Sequence, residues 1–434
     1  METPTCQRRR SIPQVAAPTR TDVADLLLAQ GLVSPDAVAS AQAAARRLGM
    51  PAADILVARG LVDALWVSAA RAAVYGLGLS DLWGLRPDAS LAPVIDPALA
   101  LRLGAVPIRR SYGRLVVALA DPGRAAALLA VIDPGTPVTL TVAPIDQITA
   151  AQVALYGPRL ARMAEGRAPE QVSCRTWRQD RNVERVVLAG LLGAGVALVH
   201  PGTVAVVLCL LALVVFFANM TLKIAALAAT LRSRAARQAG EIAPLRPLNP
   251  PMVSLLVPLY RERDIASTLI ARLARLDYPP ERLDVILITE ADDTTTNQAL
   301  AACDLPPWMR CVSVPHGHPR TKPRALNFAL NFARGEVVGI YDAEDRPEPD
   351  QITRVAARFA ELPLRVACLQ GRLDYYNAAH NPLARAFTIE YASWFRVLLL
   401  GVRRLGLFVP LGGTTVFIRR AALEQVGGWD AHNV

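Results

Sequence analysis

Residues 203–222, TVAVVLCLLALVVFFANMTL, carry no charged side chain, and about twenty such residues are what an α-helix needs to cross a hydrocarbon layer of about 30 Å. An α-helix satisfies its backbone polar groups within the segment, as a lipid surrounding requires. A second charge-free run, VVLAGLLGAGVALV at 186–199, precedes it, and His200, Pro201 and Gly202 between them favour a tight turn. The pair predicts a transmembrane helical hairpin over 186–229. One long span preceded by a buried helix is the other reading. Seven arginines lie between 159 and 185, and Arg232, Arg234, Arg237 and Arg246 follow the second run. Both flanks thus carry the positive bias of cytoplasmic segments, and two crossings leave both ends of the chain on that side. With 53% hydrophobic residues, the composition also points to a membrane protein.

The net charge of +10 comes almost wholly from arginine, since Lys223 and Lys322 are the only lysines. Arginines are interspersed with acids, aromatics make up 6% and no basic-aromatic module occurs, which argues against a nucleic-acid partner. The six cysteines are scattered without a CxxC pair and read as free thiols of a reducing compartment. His316 and His318 in PHGHP read as loop residues rather than a metal pair. Residues 1–21, basic but with no apolar stretch behind them, read as a disordered tail and not a signal peptide.

Displacing the sequence by 29 residues aligns ADLLLAQGLVSPDAVASAQAA (24–44) with ADILVARGLVDALWVSAARAA (53–73), with eleven of twenty-one positions identical. This is an internal duplication. Each copy reads as a short helix, a glycine suited to a left-handed stop (Gly31, Gly60) and a second amphipathic helix. AVPIRRSYGRLVVALADPG then predicts two strands about a SYG turn, with DPG opening a helix. On these LLxxGLV units, the VPIRR…GRLVVALADP strands and the closing IDQITAAQVALYG, residues 22–157 resemble the amino-terminal domain of type II secretion and pilus-assembly ATPases. The resemblance implies one of two roles, a protein-docking domain or a receptor for cyclic di-GMP. Neither lysine follows a glycine, so no Walker A loop and no ATPase site exist. A basic juxtamembrane linker (158–185) precedes the hairpin, and a proline-stiffened linker (230–251) follows it.

From residue 252 short apolar runs alternate with helical stretches: VSLLVPL, LDVILITE, MRCVSV, EVVGIYD and RVACLQGRL. That alternation predicts a largely parallel sheet with ligands gathered at the carboxyl ends of its strands. The acidic clusters ITEADD and YDAEDRPEPD fall at those ends. Asp342 and Glu344, one residue apart, could face one side and share a hard cation through oxygen ligands. Glu348 and Asp350 are accounted for by the start of the following helix.

Taken together, VSLLVPLYRERD, LITEADD, RTKPRALNFALNFARGEVVGIYDAEDRPEPD, LQGRLDYYN and LGGTTVFIRRAALEQVGGWD resemble the cellulose-synthase-like glycosyltransferases of family 2, over 252–434. The resemblance implies a GT-A, Rossmann-like α/β domain, and for the chain a multidomain α/β membrane protein with a small α+β domain at its front. It implies a UDP-sugar donor, with Pro258, Tyr260 and Glu262 lining the nucleoside pocket. Glu290 or Asp292 would contact the uracil, the usual DDGS reading EADD here. Lys322, Arg324, Asn327 and Asp342 would lie by the diphosphate or sugar. Asp342 and Glu344, with Asp345 adjacent, correspond to the family's DxD and would bind Mg²⁺ or Mn²⁺. Gln370, Arg372, Gly412 and Gly413 would lie on the acceptor side. FTIEYASWFRVLLLGVRRLGLFVPL reads as an interfacial helix at membrane lipid or as an internal core helix.

Family members follow GGWD with TED, whose Asp is the catalytic base, and this sequence reads GGWDAHNV up to Val434. The resemblance thus places the base beyond Val434, and no catalytic residue is assigned within 1–434. The expectation is a chain, incomplete at its carboxyl end, that binds nucleotide and metal and makes polymer poorly. The implied whole is an inverting hexosyltransferase of exopolysaccharide synthesis in a bacterial inner membrane, extending a polysaccharide acceptor. The alternative is a catalytically dead membrane scaffold with a protein partner on residues 22–157.

Overall fold

The computed structural model describes residues 22–178, 181–237, 247, 249–263 and 265–433. The expected tail at 1–21 and most of the second linker lie outside them. So does Val434, the position beyond which the catalytic base was expected. The duplicated segment forms two helical pairs, α1 (Val23–Ala29) with α2 (Pro35–Leu48) and α3 (Ala52–Ala58) with α4 (Ala64–Val74). Gly31 and Gly60 adopt φ of +68° and +70°, the left-handed conformation that stops a helix cheaply only at glycine. The Ser34 side chain accepts the Ala37 N–H at 3.2 Å and so caps α2. Ala24, Leu27, Ala41, Ile55 and Leu56 close a small core among the four helices.

A four-stranded sheet follows, built from β1 (Gly78–Leu79), β2 (Ala105–Ser111), β3 (Arg114–Leu119) and β4 (Val138–Val142) in the order β1-β4-β3-β2. Between β1 and β2 runs α5 (Pro97–Leu103), and between β3 and β4 runs α6 (Ala125–Leu129). The expected SYG hairpin is present, with Tyr112 and Gly113 at φ 49° and 74° and β2 antiparallel to β3. Helix α7 (Ile145–Glu165) packs on this sheet and continues through Pro158, past the 157 boundary expected from sequence.

Helix α8 (Arg181–Val199) meets α9 (Pro201–Arg237) across His200. Among the described residues one helix is long and apolar enough to cross a membrane, over Pro201–Arg232; its most apolar eighteen residues have a mean hydropathy of 2.6 and are not buried. Helix α8 has Arg181, Glu184 and Arg185 in its first turns, which leaves a charge-free part shorter than a full span.

The third unit is a six-stranded mixed sheet, β7-β6-β5-β8-β10-β9, formed by β5 (Val253–Pro258), β6 (Leu283–Glu290), β7 (Met309–Val314), β8 (Val337–Ile340), β9 (Cys368–Gln370) and β10 (Val416–Arg419). The four strands β7, β6, β5 and β8 are parallel, and β10 runs antiparallel to both of its neighbours. The helices are α10 (Ile265–Leu273), α11 (Thr294–Ala301), α12 (Lys322–Leu330), α13 (Gln351–Glu361), α14 (Pro382–Ser393), α15 (Leu399–Arg404) and α16 (Arg420–Gln425), with a π turn at Trp394–Leu398 joining α14 to α15. Every residue of β6 is buried, as a strand covered on both faces requires. Its Asp284 accepts from the Ser254 hydroxyl at 2.7 Å and from Arg310 Nε at 3.0 Å.

One apolar core runs from the first sheet into the second. Val117 and Leu119 of β3, Leu155 and Leu160 of α7, Leu326 and Leu330 of α12, and Ile288 and Val314 of β6 and β7 belong to it. Within it a Cβ added at Gly157 would lie 2.9 Å from Pro315 Cγ. The carboxyl-terminal half of α9 is clamped in the same manner by the 394–404 segment. There a Cβ at Gly401 would lie 2.2 Å from the Ala226 carbonyl oxygen, and Thr230 Oγ1 donates to the Val397 carbonyl at 3.0 Å.

Candidate active site

Strands β6 and β7 lie on one side of β5, and β8, β10 and β9 on the other. The chain therefore leaves the carboxyl ends of β5 and β8 in opposite directions, which opens a crevice between them. Pro258 ends β5 and Tyr260, 45% exposed, follows it. Arg261, at φ 58°, stacks on the Tyr260 ring with its guanidinium 5.1 Å from the centroid.

Beyond β6 the three acids of EADD have separate tasks. Asp293 caps α11 and accepts the Arg261 N–H at 2.6 Å, tying the β5 turn to α11. Asp292 is open to solvent and is paired with Arg320, which holds its carboxyl below the usual range; the same guanidinium lies 6.0 Å from the Tyr260 centroid. Glu290 is buried, with Oε2 3.5 Å from Arg324 Nη1. Burial pushes its carboxyl up, against the pull of Arg324 and Arg320. Of the two candidates for base contact, Asp292 is the one on the rim. Glu262 sits in the β5 turn, where its N–H donates to Thr296 Oγ1 at 2.9 Å.

Thr321 caps α12, and Lys322 at its first position reaches across to Asp342 Oδ1 and donates to the Gly413 carbonyl at 2.8 Å. Asp342 follows the end of β8. Asp345 turns back beneath it, accepting the Asp342 N–H at 2.8 Å and the Thr414 hydroxyl. Burial pushes the Asp345 carboxyl up despite these donors. The Gln370 side chain accepts the Gly412 N–H at 2.7 Å and donates to the Thr414 carbonyl at 3.2 Å, so β9 fixes the glycine loop. Arg372 is exposed. Thr414 and Arg320, absent from the expected site, are thus part of it. Both were carried in quoted motifs, Thr414 in LGGTTVFIRR and Arg320 at the head of RTKPRALN, without being singled out.

Two expectations change. Arg324 and Asn327, expected beside the diphosphate, are fully buried under α7. A helix turns about 100° per residue, so Lys322 in the crevice puts Arg324 on the opposite face, and Asn327 three residues on shares it. The second concerns the metal triad. Among the described residues no three acidic, histidine or cysteine groups converge as a metal cluster. Asp345 is committed to Thr414 and the Asp342 backbone. Glu344 is exposed, with its carbonyl oxygen held by Arg272 Nη1 at 2.8 Å. Asp342 remains as a hard oxygen donor whose charge is at present balanced by Lys322, a chemistry that suits a cation completed by substrate oxygens.

Residues 250–434 match the family model described as glycosyltransferase like family 2, and residues 75–162 match the MshEN domain. The carboxyl-terminal unit is a family 2-like glycosyltransferase domain. Similar proteins include a beta-monoglucosyldiacylglycerol synthase of Synechocystis sp. (30% identical, covering 42% of this chain and 38% of that protein). Another is a probable glucomannan 4-beta-mannosyltransferase of Arabidopsis thaliana (26% identical, covering 52% of this chain and 43% of that protein). The chain thus spans less than half the length of these relatives. A solved structure of MshE with cdg is 27% identical over 32% of this chain and 100% of that one, at a TM-score of 0.29. The crevice described above lies wholly within the glycosyltransferase domain, and the MshEN match begins after the duplicated helical pairs.

Proposed function

We propose that the protein transfers a sugar from a UDP-sugar to a growing polysaccharide with inversion, at a bacterial inner membrane that α9 crosses. The observation that carries this reading is the Asp342–Lys322 pair at the switch-point crevice of a family 2-like glycosyltransferase domain. An acid and a cation meet there, beside a glycine loop held open by Gln370. Asp342 would hold Mg²⁺ or Mn²⁺, and that ion would neutralise the diphosphate leaving group. Asp345 and Thr414 orient Asp342. Lys322 supplies a point charge to the phosphates, and Tyr260, with Asp292 and Arg320 on the facing rim, offers a stacking surface and polar edge to the base.

Exposed Trp394, Leu405, Leu407, Phe408 and Leu411 extend the apolar surface beside α9 and suit a lipid interface. With α8 as the second arm of a hairpin, both soluble units would face the cytoplasm. The reading includes a regulatory role for cyclic di-GMP in the amino-terminal unit, supported by the MshEN match, with docking of a protein partner as the alternative role. The test is UDP titration of the detergent-purified chain with and without MnCl₂. Metal-dependent binding that is lost in Asp342→Asn supports the reading, and unchanged metal dependence in that variant refutes the assignment. Titration with cyclic di-GMP in the same preparation tests the regulator, and the absence of binding removes it.

A further inference from the structure

The buried face of α12 joins the two soluble units at one point. Arg324, 0% exposed, directs its Nε to Glu165 Oε1 at 3.2 Å, its Nη2 to the Pro315 carbonyl at 2.7 Å and its Nη1 toward Glu290 at 3.5 Å. Glu165 is the last residue of α7 and also accepts the His318 N–H at 3.1 Å. Between these anchors Gly317 passes so closely that a Cβ there would lie 2.1 Å from Arg324 Nη2 and 2.2 Å from Glu165 Oε1. Three positions later the same loop delivers Arg320 to Asp292, and Asp292 lies in the turn that Glu290 begins. Arg324 therefore holds both segments that bring the rim pair Asp292–Arg320 together. Asn327, one turn along, ties the Ala164 carbonyl at 3.1 Å to the Trp429 carbonyl at 2.7 Å. A second contact between the units, Arg59 with Glu281 at 2.7 Å, touches none of these groups.

We propose that Arg324 is a positioning residue for the nucleotide: gripped by Glu165 of α7, it fixes the 315–320 loop and the Glu290 turn so that Asp292 and Arg320 meet on the rim. The placement of the amino-terminal unit is thereby written into the donor site. This inference rests on the nucleotide-sugar reading above. A buried guanidinium deprived of one counter-charge must move or draw in water, and the loop it holds moves with it.

The test uses the full chain in detergent, with UDP and MnCl₂ as probe, and compares Glu165→Gln with Arg59→Ala. Both variants loosen contact between the units, and only the first reaches Arg324. The expected result is a fall in UDP affinity of about tenfold in Glu165→Gln, the size that follows from losing one well-placed ionic contact, with Arg59→Ala within about twofold of wild type. Unchanged affinity in Glu165→Gln, or an equal fall in both variants, overturns the positioning role while leaving the donor site standing. Absence of UDP binding by the wild type overturns the donor-site reading and this inference with it. If Glu165→Gln does not fold, Glu165→Asp keeps the charge but withdraws it by one methylene and carries the same comparison.

Discussion

Replacing Lys322 with alanine separates two roles that a cation in this crevice combines. Lys322 is the counter-charge of Asp342 and is also bound to the Gly413 carbonyl. In direct contact and at an effective dielectric near 20, two such charges attract by several kcal/mol before solvent screening. Its side chains are 35% and 29% exposed, and solvent screening reduces pairs of that kind to about 1 kcal/mol. A divalent ion that takes Asp342 must overcome this attraction, so Lys322→Ala should tighten Mn²⁺ binding in the absence of nucleotide by about fivefold. The same substitution removes a charge from the phosphates and should weaken UDP binding in the presence of Mn²⁺. Free Mn²⁺ read by electron paramagnetic resonance, followed by UDP titration, gives both numbers. Weaker or unchanged binding of Mn²⁺ alone would refute the view that Lys322 and the metal compete for Asp342.

Gly317→Ala should lower stability by about 2 kcal/mol or more, read as a lower melting temperature, because the added carbon overlaps Arg324 and Glu165. Asp284→Asn should cost about 3–5 kcal/mol, since it leaves Arg310 without its buried partner. Burial alone would raise the Asp284 carboxyl, but Arg310, Arg334 and the Ser254 hydroxyl bring it below the usual value. Its contribution is complete above the unfolded value of about 4 and is lost as pH falls through the lower folded value. The variant's stability should accordingly be flatter in acid, as followed by denaturant melts between neutral pH and acid. Gly401→Leu should force the 394–404 segment off α9, because the Ala226 backbone occupies the space. Faster amide exchange across Leu399–Arg404 is the expected readout.

Strands β5, β6 and β8 were legible as apolar runs ending in polar clusters, because a strand buried on both faces has no other composition open to it. The glycine stops of the duplicated helices were legible for an equally local reason. β10 was not: VFIR is short, lies within a motif read for its glycines and pairs antiparallel to strands far away in sequence. The front domain was bounded at 157 where the resemblance to the ATPase amino-terminal domain ends, whereas helix α7 continues through Pro158 to Glu165. The site divides in the same way. Asp342 was named from its own neighbourhood, and Lys322 from the KPRALN motif that carries the resemblance. The role of Arg324 depends on Glu165, 159 positions upstream, and no local pattern relates the two.

The interior shared by α7 and α12 makes the two soluble units one cooperative body. A chain whose oily core crosses the boundary between its parts should melt in a single transition. It should resist proteolysis as one fragment, and the front unit cannot be exchanged for an unrelated one without exposing Leu326 and Val314 to water. Gly157 and Pro315 sit face to face, so enlarging one of these side chains requires the other to be reshaped.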